Sequence, residues 1–425
     1  MLLKDRRFLP LFVTQFASAL EDNIYKNALV MMILFVLAQD PNAALLVTAA
    51  TGVFILPYVL LSPFAGQVAD RHDKAFILKM VSLGKLICFL IASIAIFFEH
   101  VPTLLFLLFV IGIGSAFFSP CKYSILPDHL PPEKLVKANG LLSMGTFLAI
   151  ISGTVLGGLT ITTQDGKWLT VITMCAVALI GLIAASYIPP ASPKATTAAP
   201  YRPLRGFYDM LKLILTNPHL RPSVLGIAWF WFMGAVFLAQ FANMAKFLLN
   251  ADEEVITFFL VTFSVGIALG SLLSAKIQKN EITLRFVMPF GLCLGIFTLI
   301  LSLYLKQMPI APEMMNFISF ITKPNYAFLS VLLFLIALTG GLYYVPMYAF
   351  SQHHAKAETR AQVMAGLGFM NSLFMVISSL LSGYLIKAYT WDAADLFMGM
   401  ALLHLFIVLP LLYFAIRHIT LKERT

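Results

Sequence analysis

The chain has 425 residues, 60% of them hydrophobic and only 12% charged. A soluble domain carries about 25% charge, and here apolar runs of about 20 residues recur, each long enough to cross the hydrocarbon core of a bilayer. A water-soluble globular protein is therefore excluded, and the net charge of +9 reads as basic residues gathered in cytoplasmic loops rather than as a nucleic-acid surface.

The first predicted span, 8–37, is interrupted in its middle by Glu21-Asp22-Asn23-Ile24-Tyr25-Lys26-Asn27. It is too long for a cleaved leader and has no small-residue cleavage site. Ionisable side chains at bilayer depth cost several kcal/mol unless they face a cavity or one another. At about 100° per residue, Gln15, Asp22 and Lys26 fall within roughly 40° of each other. Asp22 and Lys26 have the i, i+4 spacing of a helical ion pair. Asn23 and Asn27 widen that face, and Glu21 points elsewhere, toward another helix. The pattern predicts a substrate-facing polar stripe in a mid-membrane cavity. The competing reading is an ion pair that only fixes helix packing.

Spans two to six are predicted over 44–69, 76–98, 102–120, 135–161 and 168–189. The loop after span two reads Gly66-Gln-Val-Ala-Asp70-Arg71-His72-Asp73-Lys74. Its glycine permits close helix contact. Asp70 and Arg71, with Lys74 behind them, can cap and lock a neighbouring helix, because anions are stabilised at helix N-termini. Lys85 lies inside span three, where it can pair with Glu21. Lys122 follows Pro120 at a cytoplasmic mouth of span four, where it reads as a positive-inside anchor.

Residues 190–220 form the longest loop. It opens as a Pro-, Ala- and Thr-rich linker and continues as an amphipathic stretch around Phe207 to Leu215, expected on the membrane surface. Six further spans follow, over 221–249, 254–276, 284–305, 326–351, 362–388 and 393–416. The organisation is thus an N-terminal half 1–189, a cytoplasmic linker with an amphipathic helix at 190–220, and a C-terminal half 221–425. Lys and Arg crowd one side of this arrangement, while the other holds Lys167, Lys246, Lys306, Lys323 and Lys387. That bias places both termini in the cytoplasm. Gln240, Asn243 and Asn371 are amides inside second-half spans. They either bond across helices or, for Gln240 and Asn371, line the cavity. Trp229, Trp231, Tyr343 and Tyr344 read mainly as packing or interface residues. The four cysteines are widely separated packing residues, with no metal-ligand spacing. No Gly-rich phosphate loop is present for an ATP-driven pump, no catalytic signature suggests an enzyme, and no cofactor is expected.

The loop Gly66 to Lys74 resembles the signature loop of the major facilitator superfamily, with Asp73 and Ala75 departing from the family pattern. Within it, Thr14-Gln15-Phe16, Asp22-Asn23 and Lys26-Asn27-Ala28 are similar to the opening helix of bacterial lysophospholipid transporters. So are Ser119-Pro120-Cys121-Lys122-Tyr123, Lys137-Ala138-Asn139-Gly140, and Gly340-Gly341 with Val345-Pro346. The resemblance implies an all-α membrane protein with twelve transmembrane helices in two six-helix halves. It also implies a transporter moving lysophospholipid across a bacterial inner membrane by alternating access, for re-acylation by a separate acyltransferase. For Lys122 it implies a phosphate-facing or gating role in place of the anchor. An arginine the resemblance leads one to expect in span seven is missing, and acidic positions appear as Ser143 and Met370. Lys26 is then the substitute cation. The alternative reading is a proton-coupled carrier of a small amphipathic molecule such as a drug or siderophore, with Asp22 or Glu21 holding the proton.

Overall fold

Hydrocarbon offers no water to backbone N–H and C=O groups, so a spanning segment must close its own hydrogen bonds as a helix. Each of the twelve predicted spans is helical in the computed structural model, which describes residues 2–36, 43–161, 163–193, 203–279 and 281–422. Spans one to six are Leu9–Met31, Ala43–Arg71, Lys74–Phe97, Val101–Ser124, Pro132–Ile161 and Gly166–Ser186. Spans seven to eleven are Leu220–Asn243, Glu253–Ile277, Val287–Gln307, Pro324–His354 and Arg360–Tyr389. Span twelve runs from Ala393 to Lys422 through a π-helical turn at His404–Val408. Spans one and seven both end in five-residue π-helical turns, Met32–Val36 and Met244–Leu248. Among the described residues 11 helices are long and apolar enough to cross a membrane. Span one is outside that set, its middle being occupied by the charged and amide run.

The helices start where the sequence supplies acceptors for their free N–H groups. Asp73 opens span three by accepting from Phe76 N–H, Asp252 opens span eight, and Asp392 with Asp395 makes a capping box for span twelve. Asp73 also accepts from Ala191 N–H at 3.0 Å, just beyond span six. That double use accounts for a carboxylate where the superfamily-like loop would have glycine. Pro57, Pro63, Pro120 and Pro346 sit inside helices. Span four therefore continues past Pro120 and carries Lys122 in its last turn.

The chain divides into two compact units: residues 1–214 with 355–369, and residues 215–354 with 370–425. In the first unit, spans one and five pack so closely that a Cβ on Gly157 would overlap the carbonyl oxygen of Ile24. Tyr25, Ile24, Leu29, Phe89, Leu104 and Leu108 belong to its buried core, and the Tyr25 hydroxyl donates to Leu104 O at 2.8 Å. In the second unit, Phe237, Phe241, Phe259, Phe263 and Phe397 form a buried aromatic cluster. Burial of such rings is a large favourable contribution on its own.

The linker differs from expectation. Residues 194–202, including Lys194 and Arg202, and the terminal Arg424 lie outside the described residues. The amphipathic stretch is a helix, Pro203–Thr216, but its apolar stripe is covered by protein. Met210 and Ile214 are fully buried. A Cβ on Gly366 would lie 3.1 Å from Met210 Cγ and would overlap Ile214. Phe207 meets Phe369 edge to face at 4.8 Å. Gly206, one turn before Met210, lets the helix lie against the Gln67 side chain. The spacing i, i+4, i+8 is the signature of a packed helix face, and here it docks onto the first turns of span eleven rather than onto lipid.

Candidate functional site

The charges of span one meet a partner from span three. Lys85 Nζ donates to both oxygens of Asp22, at 2.8 and 2.9 Å, and to Ser18 Oγ at 2.7 Å. Ser115, on span four, donates to Asp22 Oδ2 at 2.8 Å, and the Tyr58 hydroxyl of span two bonds Ser115 in turn. Glu21 Oε1 is 3.6 Å from the same ammonium. Glu21, Asp22 and Lys85 are all buried. The Phe118 ring centroid is 5.8 Å from Lys85 Nζ. A buried ion pair of this kind contributes little net stability, but removing one partner strands the other charge at about 3–5 kcal/mol.

This corrects the pairing expected from spacing. The partner of Asp22 is Lys85, not Lys26. The Lys85 ammonium reaches Asp22 from a neighbouring helix and, with Ser115, occupies both carboxylate oxygens. Among the described residues Lys26 forms no ion pair. It is half-buried and lies in the electrostatic field of Asp22. Lys122 is also half-buried. Its ammonium sits over the Tyr123 ring at 4.8 Å, and Asp22 and Lys85 both act on it electrostatically.

The amides predicted on the same face have separate partners. Gln15 Nε2 donates to Leu142 O at 3.2 Å and Gln15 Oε1 accepts from Thr146 at 3.0 Å, both on span five. Asn27 donates to Asn23 O and to Thr154 Oγ1 of span five, and Asn23 donates to Ala19 O. Gln15 and Asn27 thus tie span one to span five, as expected of polar groups that cross between membrane helices, while the Asn23 amide bonds back within span one.

A second cluster lies at the loop after span two. Asp70 is buried and accepts two backbone N–H groups from the first turn of span eleven, Ala361 at 2.7 Å and Gln362 at 3.0 Å. Gly66 makes the approach possible, since a Cβ there would lie 2.8 Å from Gln362 Cα and 2.9 Å from Ala365 Cβ. Lys74 Nζ bonds Asp128 Oδ2 at 2.8 Å, and Arg360 at the start of span eleven bonds Asp128 Oδ1 at 3.1 Å. Arg71 stands beside this cluster, half-buried. Asp128 was missed as a partner. It sits in a Pro-flanked four-residue helix, Leu126–His129, and only its charge next to a span marked it.

Gln240 and Asn371 lie in the second unit. Asn371 donates to the Tyr348 hydroxyl at 3.3 Å, and Gln240 accepts from Asn243 at 3.0 Å. Trp229 is a core residue. Its indole N–H donates to His404 Nδ1 at 2.9 Å, which leaves Nε2–H of the neutral ring to donate to Gly291 O at 2.8 Å. His404 is a polar group inside an apolar run, a signal present in the sequence and not used.

A family model of the Major Facilitator Superfamily matches residues 11–312 and 248–424. Lysophospholipid transporter LplT of Serratia proteamaculans is 30% identical over 363 residues, covering 84% of this chain and 83% of that protein. The same-named protein of Escherichia coli O157:H7 is 30% identical over 357 residues, with 82% and 81% covered. Among solved structures, the human organic anion transporter MFSD10 superposes with a TM-score of 0.72 at 12% identity, covering 97% of this chain and 99% of that one. The E. coli fucose:proton symporter FucP gives 0.70 at 13% identity, over 97% and 98%. These two likenesses concern the fold. The chain belongs to the Major Facilitator Superfamily, within its lysophospholipid transporter family. It is a multi-pass membrane transporter with the all-helical fold of that superfamily.

Proposed function

We propose that the protein carries lysophospholipids, of the lysophosphatidylethanolamine type, across a bacterial inner membrane, with both termini in the cytoplasm. Once on the inner side they are re-acylated by a separate acyltransferase. The observation that carries this reading is the buried charge cluster of span one, Glu21, Asp22 and Lys85 with Lys26 beside it. It stands in a chain 30% identical over most of its length to proteins named for lysophospholipid transport. A single-chain phospholipid joins a charged head group to an apolar tail. Its carrier needs charge at bilayer depth, where ionisable groups are costly and mark substrate pathways by default.

Movement follows the alternating access of carriers built from two repeats. The Asp70 cap on span eleven, seated through Gly66 and flanked by the Lys74–Asp128–Arg360 ion triad, is the lock of one end state. It is broken and remade once per cycle. Gln15 and Asn27 hold the span one–span five contact that shapes the cavity wall, Asn23 packs there against Gly153, and Lys122 stands at its cytoplasmic mouth. Gln240 and Asn371 belong to the corresponding lining of the second half.

The test is uptake by proteoliposomes of labelled lysophosphatidylethanolamine beside a cationic dye, with and without a proton gradient. Lysophospholipid uptake is expected. Dye uptake alone, collapsing when the gradient is dissipated, would replace this reading with the proton-coupled carrier of small amphipathic molecules.

A further inference from the structure

We infer that the two lysines near Asp22 have separate tasks: Lys85 is an internal counter-ion that never meets the substrate, and Lys26 is the cation that receives the head-group phosphate. The inference rests on the lysophospholipid reading and says which residue recognises that substrate.

A lysine ammonium has three N–H donors and no acceptor. Those of Lys85 are directed at Ser18 Oγ and at the two oxygens of Asp22, all within 2.9 Å. Its side chain is only 2% exposed, and the nearest remaining acceptor, Glu21 Oε1, stands at 3.6 Å. A phosphate reaching Lys85 would have to displace Asp22, whose second oxygen is also held by Ser115. That would leave a buried carboxylate without its counter-charge, at a cost the new contact cannot offset. Lys85 is therefore spent on the protein's own charge.

Lys26 is in the opposite position. It is half-buried, and among the described residues it has no ion-pair partner. It lies one helical turn, about 6 Å of rise, from Asp22. The oxygens of Asp22 are already bonded to Lys85 and Ser115. An ammonium without an ion-pair partner is suited to a phosphate oxygen, where a charge-assisted hydrogen bond is shorter and stronger than a neutral one. The sequence reading gave Asp22 and Lys26 jointly to the head group. The geometry withdraws Asp22 and Lys85 from that role and leaves Lys26.

The experiment measures binding to purified full-length protein in lipid nanodiscs, with lysophosphatidylethanolamine and a monoacylglycerol of the same chain as probes. The second probe lacks the phosphate. Lys26→Met is expected to weaken lysophosphatidylethanolamine binding by about ten-fold or more, the usual weight of a charged hydrogen bond. It should leave monoacylglycerol binding within about two-fold, and Lys26→Arg should restore the preference. Lys85→Met, which strands both Asp22 and Glu21, is expected to accumulate poorly. The triple variant Glu21→Gln/Asp22→Asn/Lys85→Met, with no stranded charge, is expected to accumulate and to keep the preference for the phosphate-bearing probe. The assignment is overturned if Lys26→Met keeps that preference, or if the triple variant accumulates but loses it. A triple variant that accumulates no better than Lys85→Met overturns the counter-ion role of Lys85. A wild-type protein that does not prefer the phospholipid overturns the parent reading, and it shows this before any variant is compared.

Discussion

Replacing Asp70 by alanine removes one acceptor group from two backbone N–H donors at the start of span eleven. The donors are held at 2.7 and 3.0 Å by a buried carboxylate. Loss of a capping side chain costs about 1 kcal/mol, and loss of an anion at a partly buried helix N-terminus costs up to about 2 kcal/mol more. Taking about 2 kcal/mol as the net, the capped state loses roughly 30-fold in population relative to the uncapped one. Asp70 has no part in the span-one charge cluster, so this loss falls on the conformational cycle. Asp70→Ala should reduce lysophospholipid turnover in proteoliposomes by about 10- to 30-fold, with binding affinity changed less than about three-fold. Asp70→Asn keeps an acceptor oxygen without the charge and should fall between alanine and wild type. A ten-fold loss of affinity with turnover unchanged would refute the reasoning, and so would an asparagine variant slower than the alanine one.

Gly66→Ala should act on the same lock from the other direction. Its new methyl group meets the backbone of Gln362 rather than a flexible side-chain tip, so slower turnover and a lower melting temperature are expected by thermal unfolding in detergent. Met210→Ala empties a fully buried position on the linker helix. It should cost about 2–5 kcal/mol locally, seen as faster protease cleavage within residues 203–216; unchanged cleavage would mean that the docked face is dispensable. Ser115→Ala removes one donor to Asp22 while the Lys85 pair stays. It should therefore lower protein yield and transport far less than Lys85→Met, and equal losses would contradict the ranking of the two contacts.

The helices were legible because their cause is local. Apolar length and the distribution of Lys and Arg locate spans without reference to neighbours, and the Asp70 cap followed from a charge placed at a loop facing another helix end. The partner of Asp22 was not legible in the same way. Lys26 and Lys85 are both lysines in apolar surroundings. Only the rotation of span three against span one decides which ammonium reaches the carboxylate, and no local pattern records that rotation. Ser18 and Ser115 were invisible for a different reason, since serine is common in membrane helices and nothing in its neighbourhood marks a functional one. The linker helix showed a true amphipathic period. Period tells that a face is buried and not what buries it, and Gly366, far along the chain, is what turned a surface helix into a docked one.

The π-helical turns that close spans one and seven have a bearing on ancestry. Aligning Met32 with Met244 sets Phe35 against Phe247 and puts Met233, Gly234, Ala235 and Leu238 at the places of Glu21, Asp22, Asn23 and Lys26. A Cβ on Gly234 would meet nothing within 4 Å, and Leu238 is 46% exposed. If the halves arose by duplication, one copy acquired or kept ionic chemistry in its leading helix while the other became smooth and oily at the matching depth. Carrying an amphiphile calls for both ionic and apolar surface, and such divergence between twin helices yields one of each without enlarging the fold.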